Sequence, residues 1–255
     1  MRLDVEVVLR GLAESRQKAQ ELIRSGVVYV NSKSINKPSL SVSENDKVEI
    51  LGEVLRYVGR GGLKLECALN NFSLDVSDKT CLDIGASTGG FTDCLLQNGA
   101  KKVYAVDVGH GQLHASLQKR EDVISLEGVN IKDLSVDMLG CIPDFICSDV
   151  SFISLSVVIE KISTLFENNF ECVLLIKPQF EAGKQNIGKN GVVKDKKAHV
   201  NVISKILECC QRNGITPLGV CKSSIAGGEG NIEYLLYGKR GAFDTSPIDI
   251  KTIVG

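Results

Sequence analysis

Residues 80–91 read TCLDIGASTGGF: a buried apolar strand, Thr80-Cys81-Leu82-Asp83-Ile84, runs into the turn Gly85-Ala86-Ser87-Thr88-Gly89-Gly90, and a helix opens at Phe91. Strand, glycine-rich turn and helix in that order are how α/β sheets approach a nucleotide, because backbone comes close where side chains are missing. The next strand, residues 102–106, ends at Asp107, where a carboxylate can accept from both hydroxyls of a ribose. Ser87 stands where the second glycine of the dinucleotide fingerprint would fall, which disfavours a dinucleotide oxidoreductase. An acid inside an Asp-x-Gly turn suits an S-adenosylmethionine site, where it can face the amino-acid ammonium. The competing reading is a glycine turn that serves packing alone.

Outward from this turn, strands and helices alternate. Strands are expected at 123–127, 145–148, 172–176, 218–222 and 233–237, and helices at 63–70, 91–98, 157–166 and 200–213. That alternation implies an α/β sheet of mostly parallel order. Asp149 ends the strand before VSF, and Lys177 ends the strand before PQF; both therefore fall at the same sheet edge as Gly85. Lys64 lies ahead of the first strand and Glu233 opens the last. Two lysines and two acids from four segments make a charge-balanced cluster. Lys177 alone can equally snorkel or form a structural pair with Asp149.

Ahead of this domain, residues 1–50 read as two short helices and three short strands. Leu3, Val7, Val8, Leu9 and Leu12 extend one apolar face, Ser15 caps the second helix, and Gly26 closes it. The glycine-rich, basic stretch 52–62 is the expected linker between a unit at 1–57 and one at 63–255.

The chain has 255 residues, 43% hydrophobic and 24% charged, with net charge −1, so it is neither disordered nor a uniformly basic nucleic-acid binder. Its charge is segregated, with +3 over residues 1–40 and +5 over 177–205. Such patches, rather than the total, decide binding to phosphate backbones. No apolar run approaches a membrane span, and no secretory core precedes the first helix. Nine cysteines without a CxxC pair indicate reduced thiols in the cytosol. His110 and His114 are four apart, but Gly111 stands where a zinc motif would carry glutamate, so no metal is expected. Phe91, Phe152, Phe180 and Tyr234 are read as core or pocket walls.

Two groups of motifs carry a family resemblance. The segment RLD…GLAESRQKAQELIRSGVVYVNSKSINKPSLSVSENDKVEI resembles the RNA-binding domain of ribosomal protein S4. YVGRGGLKLECAL, CLDIGASTGGFTDCLLQNGA, VDVGHGQL, CSDVSFISL, LLIKPQFEAG, GVVKD and GNIEYLLY resemble, in order, the TlyA family. That family comprises RNA 2′-O-methyltransferases, also labelled hemolysins, in which an FtsJ-like (RrmJ-like) domain follows an S4-type domain.

The resemblance implies a Rossmann-like class I S-adenosylmethionine-dependent methyltransferase with a small N-terminal α+β RNA-binding domain. It implies that Lys64, Asp149, Lys177 and Glu233 form the catalytic tetrad. It places the donor on Asp83, Gly85, Ala86, Ser87, Thr88, Gly89, Gly90, Phe91, Asp107 and Asp149, with Asn130 toward the adenine. RNA would meet Arg2, Arg10, Ser15, Arg16, Lys18, Arg24 and Lys37, then Arg60, Lys184 and Lys189. The implied substrate is ribosomal RNA or a ribosomal subunit, at a cytidine of 23S and also 16S rRNA. Gly59 departs from the serine expected there, and Glu229 rivals Glu233. Competing readings are a non-catalytic RNA-binding assembly factor and a membrane-damaging toxin; the sequence opposes the toxin because no export signal or lytic helix is evident. The basic stretch after Lys177 reads either as a clamp on RNA phosphates or as a solvated loop.

Overall fold

A computed structural model describes residues 1–24, 26–51, 56–167, 169–188 and 190–255. Ser25, linker residues 52–55, Asn168 and Lys189 lie outside the described residues. The chain divides into two compact units, Met1–Arg56 and Tyr57–Gly255.

The first unit contains α1 (Leu3–Leu9), α2 (Arg16–Arg24), β1 (Val28–Val30), β2 (Lys33–Ser34) and β3 (Val48–Ile50). β1 pairs antiparallel with both other strands. Leu3, Val7, Ala19, Leu22, Ile23, Val28 and Val48 form its core. Leu9 departs from the expected apolar face and is 66% exposed. α1 ends there, so Leu12 reaches the core edge from a turn instead. Ser15 Oγ accepts the Lys18 N–H at 3.2 Å, and Gly26 takes φ +78°, the left-handed geometry that closes a helix.

The second unit comprises α3 (Gly61–Asn71), β4 (Thr80–Ile84), α4 (Gly90–Gln97), β5 (Lys102–Asp107), α5 (Ala115–Gln118), β6 (Val123–Glu127), α6 (Val136–Leu139), β7 (Phe145–Ser148), α7 (Leu155–Leu165), β8 (Glu171–Ile176), α8 (Pro178–Glu181), α9 (Lys196–Arg212), β9 (Ile215–Lys222), β10 (Tyr234–Arg240) and α10 (Ile250–Val254). Among the described residues they build one seven-stranded sheet in the order β6-β5-β4-β7-β8-β10-β9. The first five run parallel, and β10 lies antiparallel between β8 and β9. The chain winds outward from β4 in both directions, which opens a crevice at the carboxyl ends of β4 and β7. β9 starts three residues earlier than the sequence suggests. Pro217 is tolerated because β9 is an edge strand and the register shifts between Tyr237 and Gly238.

Strand alternation sorts the core into two layers. Leu82, Ile84, Ile146, Leu174, Ile176, Tyr234 and Leu236 face α7 and α9. Cys81, Phe145, Cys147, Val173, Leu175, Leu235 and Tyr237 face α3 and α4. Continuing that period, Asp83, Asp149, Lys177 and Glu233 all fall on the α3 side. Tyr234 pairs with Ile176, so Glu233 and Lys177 are opposed one step beyond the ladder. No described helix is long and apolar enough to cross a membrane.

Candidate active site

The glycine-rich turn is shaped by close approach. Gly85 and Ala86 both donate backbone N–H groups to Val106 O, at 2.8 and 3.1 Å. A Cβ on Gly85 would lie 2.8 Å from the carbonyl oxygen of Asp149, so only glycine lets the ends of β4 and β7 draw together. Gly89 caps α4 at φ +93°. Ala86, Ser87, Thr88, Gly90 and Phe91 line one side of a cavity of 210 Å³, with Asp149, Ser151 and Lys177 opposite. Gly59 packs over this turn. A Cβ there would meet Thr88 Oγ1 at 2.7 Å, so serine at 59 requires Thr88 to turn aside.

The four charged residues named from the sequence meet at this edge. Asp149 bridges both lysines: Lys177 Nζ lies 2.5 Å from Oδ1, and Lys64 Nζ lies 3.4 Å from Oδ2. Lys64 also donates to Glu233 Oε2 at 2.7 Å. Glu233 Oε1 accepts from Gln179 at 2.9 Å, and Lys177 donates to Ser151 Oγ at 2.8 Å. Lys64, Lys177 and Glu233 are buried, so each charge needs its partner. Glu229 is exposed on the loop before β10 and makes no part of this cluster. Gln179 and Ser151 were missed in the sequence; their place two residues after Lys177 and Asp149 was the available signal.

Asp83 is 0% exposed. Its Oδ2 accepts from the Thr92 hydroxyl at 2.7 Å, while Oδ1 has no partner beyond the approach of the Cys147 thiol. Burial, reinforced by the charge of Asp149, pushes its carboxyl up to about 7 against the pull of Thr92. Asp107 ends β5, where Oδ2 accepts the Ser87 N–H and Oδ1 the Gly109 N–H, both at 2.8 Å. Asn130 lies apart from the cavity lining, exposed, with Oδ1 capping a short turn at Lys132. Glu127 was not anticipated: it accepts N–H groups from Gly111, Gln112 and Leu113 and shapes the loop beyond Asp107.

Phe152 departs from the expectation of a pocket wall. It is 92% exposed at φ +63°, and its ring leans on Phe180 with centroids 5.1 Å apart. Lys177 Nζ lies 5.8 Å from the Phe180 centroid. Phe91 and Tyr234 are core residues.

Of the residues expected to meet RNA, several are engaged within the first unit. Arg2 and Arg16 donate to the buried Asp4, and Arg10 donates to Glu6, Asp46 O and Glu44 O. A carboxylate with no exposure demands such partners. Ser15 is occupied as the helix cap. Lys18, Arg24, Lys37, Arg60 and Lys184 are exposed, and Lys189 lies outside the described residues. Among the described residues, no group of three or more His, Cys, Asp or Glu side chains could hold a metal ion.

Residues 57–240 match the FtsJ-like methyltransferase family, and residues 1–48 match the S4 domain. The chain is 46% identical over 237 residues to YqxC of Bacillus subtilis, provisionally named an rRNA methyltransferase, covering 92% of this chain and 84% of that protein. It is 40% identical over 237 residues to the 16S/23S rRNA (cytidine-2′-O)-methyltransferase TlyA of Mycobacterium tuberculosis, covering 92% and 88%. A solved structure of a hemolysin candidate from Streptococcus thermophilus superposes with a TM-score of 0.77 at 41% identity, covering 100% of this chain and 94% of that one.

Proposed function

Because the chain belongs to the FtsJ-like methyltransferase family and carries an S4 domain, we propose that it methylates a ribose 2′-hydroxyl of ribosomal RNA in the cytosol. The target is a cytidine of 23S rRNA, with 16S rRNA as a second substrate. The reading rests above all on one observation: Asp149 joins Lys177 and Lys64 beside the glycine-rich turn.

S-adenosylmethionine fits the residues present and supplies, when bound, an electrophilic methyl group on a sulfonium. The unmatched oxygen of buried Asp83 suits an ammonium, Asp107 suits a ribose diol, and glycines 85, 89 and 90 leave room for backbone contact. A ribose hydroxyl is a poor nucleophile until its proton leaves. Lys177 Nζ is placed to take that proton. Asp149 and Ser151 fix the direction of Nζ. Lys64 stabilises the developing alkoxide, and Glu233 with Gln179 holds Lys64 in place. Holding both reactants in line contributes much of the remaining rate. The exposed ring of Phe152 offers a face on which a base of the RNA can stack.

The test is tritiated methyl transfer to purified ribosomal subunits lacking the modification, wild type beside Lys177→Ala. Label in rRNA with wild type alone supports the reading. Turnover by Lys177→Ala would sink the assignment of the base, and no label on either subunit, with donor binding verified, would favour the non-catalytic RNA-binding reading.

A further inference from the structure

The basic stretch that follows Lys177 is held at a buried residue, Val193. Both backbone groups of Val193 are taken by side chains. Its N–H donates to Asn231 Oδ1 at 3.2 Å, and its carbonyl accepts from His199 Nε2 at 2.8 Å. Asn231 uses its amide nitrogen as well, donating to Gly191 O at 3.1 Å and Gly228 O at 3.0 Å. His199 Nδ1 lies 3.0 Å from the hydroxyl of Tyr234, and the rings meet edge to face with centroids 5.7 Å apart. Burial pushes the Tyr234 phenol up to about 12, so it stays protonated and donates to Nδ1. That assignment leaves the imidazole proton on Nε2, facing Val193 O.

His199, Asn231 and Tyr234 are all buried, so a lost partner would leave a stranded polar group. Around them Lys194, Lys196 and Lys197 are exposed. Tyr234 follows Glu233 in sequence and pairs with Ile176, the residue before Lys177. The mooring therefore ties the lysine-bearing segment to the two strands that carry half of the charged cluster.

We infer that His199 and Asn231 are positioning residues that set the reach between Lys194 and Lys177, so that an RNA backbone held at Lys194 presents its ribose at a fixed distance from the base. This rests on the reading of RNA as substrate. Neither residue touches the reacting atoms; both act through Val193.

The experiment is a double-mutant cycle on purified large ribosomal subunits, reading RNA affinity and steady-state methylation across a salt series. Lys194→Ala is expected to lower the salt slope by about one. His199→Phe keeps the edge-to-face contact but cannot donate to Val193; it is expected to raise KM about tenfold, with donor affinity by calorimetry unaltered. In that background Lys194→Ala should add little, because the lysine is already misplaced. His199→Gln, whose amide can donate to the same carbonyl, should recover most of the loss. Additive effects, a wild-type KM in His199→Phe, or an unchanged salt slope in Lys194→Ala would each overturn the inference. If His199→Phe does not fold, Asn231→Ala takes its place in the cycle under the same criteria. Methyl transfer by the wild type judges the substrate reading separately: coupling in RNA affinity without transfer would sink that reading, and with it the positioning of a ribose at Lys177, leaving only the placing of Lys194 for RNA binding.

Discussion

Two aspartates, one in each unit, are both 0% exposed and yet opposite in character. Asp4 is saturated: Arg2 grips both oxygens at 2.9 and 3.0 Å, and Arg16 and Gln20 add bonds at 2.9 and 2.7 Å. The Arg2 guanidinium leads in holding its carboxyl well below the usual range, although burial opposes this. Asp83 has the Thr92 hydroxyl and little else, and burial drives its carboxyl the other way, up to about 7. The fold completes the first site with its own side chains. The second is left with an unmatched oxygen beside a glycine-rich turn.

The contrast can be broken at either end. The largest effect is expected from Asp4→Ala, which removes a buried network of charged hydrogen bonds and leaves the half-exposed Arg2 and Arg16 to water, at a cost to the first unit of about 3 kcal/mol. Hydrogen exchange should then show loss of protection in residues 1–50 while the amides of β4 and β7 stay protected. Asp83→Asn is expected to keep the fold and weaken S-adenosylmethionine binding about 100-fold, read by calorimetry. Unchanged affinity would make Asp83 as structural as Asp4.

The pH dependence follows from the same carboxyl. Its folded-state value of about 7 exceeds that of a free aspartate, so the protonated form is preferred. The stability this contributes is full below the free-aspartate range and is lost as pH rises through about 7. An ammonium ligand reverses the preference, so donor binding should release a proton. Affinity should fall about tenfold for each pH unit below 7, and calorimetry in two buffers of different ionisation enthalpy measures both. The smallest effect is expected from Arg24→Ala and Lys37→Ala, exposed cations of the first unit. Each should weaken rRNA binding about threefold and flatten its salt dependence, as filter binding at several ionic strengths would show.

The turn at 85–90 and the four charged positions were legible because each follows an apolar strand, and strand ends in an α/β sheet converge on one edge. The insertion of β10 between β8 and β9 was not, since chain order carries no record of which neighbour a late strand pairs with. Phe152 was misjudged because an aromatic after a strand ordinarily packs inward; its left-handed backbone turns the ring outward instead. Arg2, Arg10 and Arg16 counted as available cations because charge totals cannot reveal that Asp4 and Glu6 on α1 are buried and draw them in. The mooring by His199 and Asn231 was not legible, because their contacts to Val193, and that of His199 to Tyr234, are brought close only by the tertiary fold.

The place of β10 has a consequence for synthesis. Glu233 enters the cluster from the segment that opens this strand, and the strand must slot between two that are already made. While the chain is still emerging, Lys64 can meet Asp149 but lacks its second carboxylate, and Lys177 borders an open sheet edge. Such long-range pairing is slow and comes late. A nascent chain halted before residue 233 would thus hold the glycine-rich turn and three of the four charges, with Lys64 short of the carboxylate that the last strand brings.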